Sequence, residues 1–225
     1  MTEEHIRAVV FDLDGLLVDS EPLQAWAWHE YVARFGAVMT PDVLGRMLGL
    51  RAVDAVKIAI EMLDLPVDAA TALRERDDIF LAAVPGAIQP HQGARALLDG
   101  LTAHNMPLAL ATSGHRRYVD LALTSAKLTG LFDREVTAEL VTRGKPHPDV
   151  YLRAAELLGI PADRCLALED APNGVSAAKA AGMRCFAIPG EHGSRKGVAH
   201  ADATLGSLDE VIGEMRRRGW IIRET

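Results

Sequence analysis

Residues 9–21 read VVFDLDGLLVDSE, an apolar stretch that runs directly into Asp12, Leu13, Asp14 and Gly15. With the residues before it, 6–11 (IRAVVF) make a short continuous apolar run with β-branched members. Such a run is the mark of a strand buried on both faces of a parallel sheet. Ligands of a doubly wound sheet bind beyond the carboxyl ends of its strands, so both carboxylates would project into a binding crevice. Two aspartates so close together repel each other. They are tolerated where a cation sits between them, or where they divide the work of nucleophile and acid. Gly15 lets the chain turn sharply away.

Outward from this stretch the same pattern recurs at 108–111 (LALA), near Val136, at 165–168 (CLAL) and at 185–188 (CFAI). Helical stretches at 89–105, 115–127, 148–158 and 173–181 lie between these runs. Alternating strands and helices predict an α/β fold with a mostly parallel, Rossmann-like sheet. Residues 21–84 break the alternation: they carry helical periodicity and no convincing strand. Leu23, Trp26, Ala27, Tyr31 and Phe35 give one apolar stripe, and 52–65 and 67–83 suit two further helices. The expected organisation is therefore an α/β core of 1–17 and 85–225 with an all-helical insertion at 18–84. Pro85, Gly86 and Pro90 punctuate its exit.

With 225 residues, 49% of them hydrophobic, the chain can build an α/β core and a smaller second domain. A net charge of −7 repels nucleic-acid phosphates and anionic membrane surfaces, so neither is an expected partner. No run is long enough to span a bilayer, and the polar opening MTEEHIR does not read as a signal peptide. Cys165 and Cys185, each in an apolar strand, read as reduced core thiols. The expected setting is the cytoplasm, as a monomer or weak dimer. The basic run Arg216–Arg218 reads as a solvated helix end.

Three more strand ends carry chemistry. LALAT ends in Thr112, Ser113 and Gly114 just before a helical stretch, where a hydroxyl and free N–H groups suit a phosphate. Taken alone, an ordinary helix cap explains them as well. In RGKPHPDVY, Lys145 is a cation in a loop stiffened by Pro146 and Pro148. A fixed ammonium there could neutralise a carboxylate and a phosphoryl oxygen, although a surface lysine is the commoner case. LALEDAPNG ends a strand in Glu169 and Asp170, bringing further carboxylates to the same sheet edge. Oxygen ligands of this hardness favour Mg²⁺.

In their order, DLDGLLVDSE, ATSG, GKPHPDVY and EDAPNGVSAAKAAGM resemble the haloacid dehalogenase superfamily, within it the phosphatases grouped with β-phosphoglucomutase. The resemblance covers nearly the whole chain. It implies that Asp12 attacks phosphorus, and that Asp14 protonates the leaving alcohol and then serves as base for the water that opens the phosphoaspartate. It implies phosphoryl contacts from Thr112 and Lys145. Mg²⁺ would be held by Asp12, the main-chain carbonyl of Asp14 and Asp170, with Glu169 a ligand or a partner behind the ligands. The helical insertion is similar to the family's small cap. Substrate contacts are expected from Gln24, Arg46, Leu50 and Arg51 of the cap, and from Ser113, Gly114, His115 and Arg116; each also suits a solvated or packed role. The implied activity is Mg²⁺-dependent hydrolysis of a small phosphorylated metabolite, such as a sugar or polyol phosphate. A sugar phosphomutase resembles the chain too, but has a histidine where Gln24 stands. A dehalogenase needs neither Asp14 nor the Glu169–Asp170 pair, and a silent binding module would be expected to lose one of these residues.

Overall fold

The computed structural model describes residues 5–47, 52–190 and 197–221. Eight strands are seen in this region: β1 (Ala8–Phe11), β2 (Val18–Asp19), β3 (Gln89–Pro90), β4 (Leu108–Ala111), β5 (Arg134–Val136), β6 (Cys165–Glu169), β7 (Arg184–Ala187) and β8 (Ala203–Thr204). Its helices are α1 (Glu21–Ala33), α2 (Pro41–Met47), α3 (Ala52–Leu63), α4 (Ala69–Ala83), α5 (Ala94–Ala103), α6 (Arg116–Ser125), α7 (Asp149–Leu158), α8 (Pro172–Ala180) and α9 (Val211–Arg217). Among the described residues, no helix is long and apolar enough to cross a membrane.

Six strands form the parallel α/β sheet that the sequence predicts, in the order β5-β4-β1-β6-β7-β8. β1 lies at its centre: Val9 is opposite Leu108 on one side and Leu166 on the other. Val9, Val10 and Phe11 are fully buried, which contributes about 5–9 kcal/mol and explains why the run is apolar on both faces. The chain leaves β1 toward β4 and β5 and later returns to β6 on the opposite side. That reversal is a switch point of the topology, where a doubly wound sheet binds its ligands, here at the carboxyl ends of β1, β4 and β6. Beneath it, Val10, Ala109, Ala111, Val136, Tyr151 and Val175 belong to one packed cluster. Both cysteines are buried and unpaired.

The chain divides into two compact units, one taking in residues up to Asp19 and from Gln89 onward, the other Ser20–Ile88. These limits fall slightly later than 18 and 84. The reason is that Val18 and Asp19 pair antiparallel with Pro90 and Gln89 and so stay with the sheet unit. This ladder also takes the first residues of the helix expected at 89–105; α5 starts only after Gly93, whose φ of 82° is left-handed.

The helical unit has its own core, with Trp28, Tyr31, Val32, Met39, Val43, Val56, Leu65 and Ala72 packed together. The stripe anticipated on α1 is shifted. Ala27, Trp28, Tyr31 and Val32 form its buried face, whereas Trp26 and Phe35 are exposed. Phe35 lies past the last helical residue, Ala33, beside the turn at Gly36. Asp68 caps α4, its carboxylate accepting the N–H groups of Ala70 and Thr71 at 3.0 Å.

Candidate active site

Asp12 directly follows β1 and keeps that strand's spacing, because its N–H donates to the Leu168 carbonyl at 3.1 Å. Its neighbours end the strand. Gly15 has φ 79° and donates its N–H to the Val18 carbonyl at 2.9 Å. It is also a point of close approach, since a Cβ there would collide with the Asp170 carboxylate. The glycine of the DLDG stretch therefore turns the chain and makes room for an acidic neighbour from β6.

Lys145 is the centre of the site. Its buried Nζ donates to Asp12 Oδ1 at 2.7 Å and to Glu169 Oε1 at 2.6 Å, and it lies 5.1 Å from the centre of the Tyr151 ring. Glu169 is completely buried. Its Oε1 also accepts the Tyr151 hydroxyl at 2.6 Å, and its Oε2 accepts the N–H groups of Asp170 and Ala171 at 3.2 and 3.5 Å. Gly174, in the first turn of α8, admits this carboxylate: a Cβ there would fall on it. Burial works against the ammonium of Lys145, but the two carboxylates outweigh it and hold its pKa above the ordinary lysine value.

Asp12, Glu169 and Asp170 offer oxygens that all lie within 4.8 Å of one another. Burial first, then repulsion from its acidic neighbours, lifts both Asp12 and Asp170 above the usual carboxylate range. Asp170 Oδ1 is buried and meets no donor among the described residues. Three carboxylates facing one ammonium, with an orphaned oxygen among them, are the environment a hard divalent cation neutralises, and the all-oxygen donor set fits Mg²⁺. The Asp14 carboxylate is not part of this trio. It accepts the hydroxyl of Tyr118 from α6.

Thr112 follows β4, nearly buried, with its N–H on the Val136 carbonyl at 3.0 Å. Its hydroxyl oxygen accepts the Gly114 N–H at 3.0 Å, which leaves the hydroxyl proton to be donated. At the amino end of α6 one N–H is already taken. Glu139 Oε1 accepts the Arg116 N–H at 2.9 Å and lies 3.3 Å from His115 Nδ1. The Thr137 side chain and the Arg116 N–H hold the Glu139 carboxyl down at about 2. The Arg116 guanidinium bonds Glu135 and Asp120 at 2.5 and 3.1 Å. Ser113 and His115 are exposed.

In the helical unit, Arg76 is buried and donates to the Gln24 main-chain carbonyl at 3.0 Å and to its Oε1. The guanidinium sits 5.3 Å from the Trp28 ring and 5.1 Å from the Phe80 ring. Arg46 makes a solvent-exposed pair with Asp42 at 3.4 Å. Leu50 and Arg51 lie outside the described residues.

Sequence reasoning thus brought Asp12, Lys145, Glu169 and Asp170 to one place. It missed Tyr118, Tyr151 and Arg76. Tyr151 had a signal, being the last residue of the GKPHPDVY stretch that carries Lys145; the other two had none beyond helical spacing.

A model of the haloacid dehalogenase-like hydrolases matches residues 9–188. The chain is 35% identical over 228 residues to hexitol phosphatase A of Escherichia coli (strain K12), covering 96% of this chain and 98% of that protein. It is 33% identical over 213 residues to validoxylamine A 7'-phosphate phosphatase of Streptomyces hygroscopicus subsp. limoneus, covering 91% and 95%. CbbY from Rhodobacter sphaeroides, solved in complex with phosphate, superposes with a TM-score of 0.81 at 28% identity, covering 92% of this chain and 96% of that one. A strand-end trio of carboxylates around a buried lysine, on this sheet and with these relatives, places the chain in the haloacid dehalogenase-like hydrolase family, among its phosphatases.

Proposed function

We propose that this enzyme hydrolyses the phosphate monoester of a small sugar or polyol through a phosphoaspartate at Asp12. The observation that carries the reading is Lys145, buried and bonded at once to Asp12 and Glu169 where the central strands end. Hydrolysis of such esters is among the slowest reactions in water, with enzymatic accelerations of up to about 10²¹-fold. A phosphate dianion repels an anionic nucleophile, and a fixed ammonium offsets that charge as the phosphoryl group is transferred. Asp12, Asp170 and the main-chain carbonyl of Asp14 would hold Mg²⁺, with Glu169 behind them; when bound, the ion neutralises charge on the phosphoryl oxygens.

Asp12 Oδ1 is engaged by Lys145, so Oδ2 is the attacking atom. The Oδ2–phosphorus bond forms as the bond from phosphorus to the ester oxygen breaks, and that oxygen takes the proton of Asp14. Asp14, now a carboxylate, removes a proton from water, which attacks phosphorus, frees inorganic phosphate and restores Asp12. Lys145 has three N–H bonds and gives two to Asp12 and Glu169, so its third is assigned to a phosphoryl oxygen, as is the Thr112 hydroxyl.

The relatives support a sugar or polyol ester, and the helical unit is assigned the role of cap that selects it. Gln24 favours hydrolysis over mutation of the sugar, since an amide held by Arg76 takes up no proton. Two unpaired buried thiols suit a reducing cytoplasm, where the protein acts as a monomer or weak dimer.

The test is phosphate release from a panel of sugar, polyol and small-acid phosphates, with Mg²⁺ and with chelator. Release that needs Mg²⁺ and vanishes in Asp12→Asn is expected, with Asp14→Asn still binding substrate but turning over far more slowly. A near-normal rate in Asp12→Asn would refute the covalent route.

A further inference from the structure

Tyr118 is the third residue of α6, an aromatic that by spacing alone belongs to the core. Its ring is indeed buried, yet its hydroxyl reaches across the sheet edge to Asp14 Oδ1, 104 residues away in sequence. A second, independent feature serves the same contact. A Cβ on Gly114 would lie 2.9 and 3.4 Å from Cδ1 and Cε1 of Tyr118, and 3.3 Å from Thr112 Oγ. Gly114 is not among the positive-φ residues, so here the glycine provides room rather than an unusual backbone. The ring passes over the bare backbone of residue 114 on its way to Asp14.

We propose that Tyr118 is a positioning residue for Asp14, and that Gly114 is small so that the phenol can reach it. The proposal rests on the reading of Asp14 as proton donor and acceptor given above. Asp14 stands in the turn after β1, where a short carboxylate side chain has several rotamers available. A buried phenol fixes one of them. Because the phenol O–H is donated to Oδ1, the acid form of Asp14 carries its proton on Oδ2, facing away from the tyrosine. That proton passes to the ester oxygen as its bond to phosphorus breaks. The same Oδ2 then receives a proton from the attacking water, with Tyr118 donating to Oδ1 throughout. Misplacement of a reacting group by about 1 Å costs on the order of 10²-fold in rate, which is the size of effect such an anchor controls.

The test compares wild type, Tyr118→Phe and Gly114→Ala on two esters with Mg²⁺: p-nitrophenyl phosphate, whose leaving group departs without a proton, and a hexitol phosphate, whose alkoxide needs one. Rapid mixing separates the first turnover from later ones. In Tyr118→Phe the first turnover of the aryl ester should keep its wild-type rate and later turnovers should slow, giving a burst of one nitrophenolate per active site. With the hexitol ester the first turnover itself should fall by about 10²-fold. KM should change little, and thermal midpoints should show both variants folded. Gly114→Ala, whose methyl group would crowd the Tyr118 ring and also the Thr112 hydroxyl, should slow both esters and the hexitol ester more. An equal loss for both esters in the first turnover of Tyr118→Phe, or no loss in that variant, overturns the proposal. A wild-type protein that releases no phosphate from either ester overturns instead the reading of the site on which it stands.

Discussion

Gly174→Ala sets two large effects of opposite sign against each other. In an ordinary helix, replacing glycine with alanine stabilises by about 1 kcal/mol. Residue 174 is helical and nothing in its own backbone disfavours alanine. A methyl group there, however, would occupy the space of the Glu169 carboxylate. Glu169 would have to withdraw from Lys145 and Tyr151, which it holds at 2.6 Å each. Two charge-assisted hydrogen bonds contribute about 1.5–3 kcal/mol apiece, so about 3–6 kcal/mol is lost against about 1 gained. The expected net effect is a destabilisation of about 2–5 kcal/mol. Lys145 would also lose the partner that holds it beside Asp12, and turnover should fall with it. Urea unfolding of both proteins, followed by one spectroscopic probe, measures the first quantity, and metal-dependent phosphate release measures the second. A variant stabilised by about 1 kcal/mol, the value helix propensity alone would give, with an unchanged rate would refute the assigned role of Gly174.

Other outcomes follow from the charges. Mg²⁺ should raise the thermal midpoint, since saturation at 100 times Kd stabilises by about 2.7 kcal/mol; Asp170→Asn should lose most of that rise yet be no less stable without metal, because burial and the acidic neighbours already disfavour an ionised carboxylate there. Equal shifts in the two proteins would remove Asp170 from the metal site. Burial pulls the Asp202 carboxyl upward, but Lys179 at 2.6 Å, the Cys185 N–H at 2.8 Å and Arg184 win and hold it below its ordinary 3.8. With the folded pKa depressed, this group's stabilisation is complete above about pH 4 and is lost as pH falls through the folded value. Asp202→Asn should therefore be less stable than wild type at neutral pH and converge on it in acid, and a gap independent of pH would contradict the pairing.

What was legible in the sequence was whatever local pattern encodes. A strand buried on both faces cannot hide its apolar run, and the carboxylates that end it stand out against Val9, Val10 and Phe11. Lys145 and the Glu169–Asp170 pair were legible for the same reason, each sitting at a boundary between apolar and polar segments. Long-range choices were not. Tyr118 and Tyr151 occupy helix positions where an aromatic ring is ordinary core, and only the partner of the hydroxyl separates anchoring from packing. The acceptor at the amino end of α6 was not legible either, because Glu139, which takes the Arg116 N–H, lies 23 residues downstream. The pairing of Val18–Asp19 with Gln89–Pro90 involves two residues on each side and includes a proline, too little for periodicity to register. Trp26 and Phe35 read as core because they are large and apolar; where α1 ends decided the second of them.

The register of β1 has a consequence for how the chain is made. Val9 is made before either of its partners, Leu108 and Leu166, so this fully apolar strand waits through about 100 further residues of synthesis for its first neighbour. Residues 20–88 meanwhile carry a complete core of their own. Order of synthesis and order of sheet assembly therefore diverge: the insertion is able to fold while the strand that precedes it is still sticky and unpaired. A fragment ending near residue 100, free of the ribosome, should show protected amides within 20–88 and, around Val9 to Phe11, a surface that recruits chaperones.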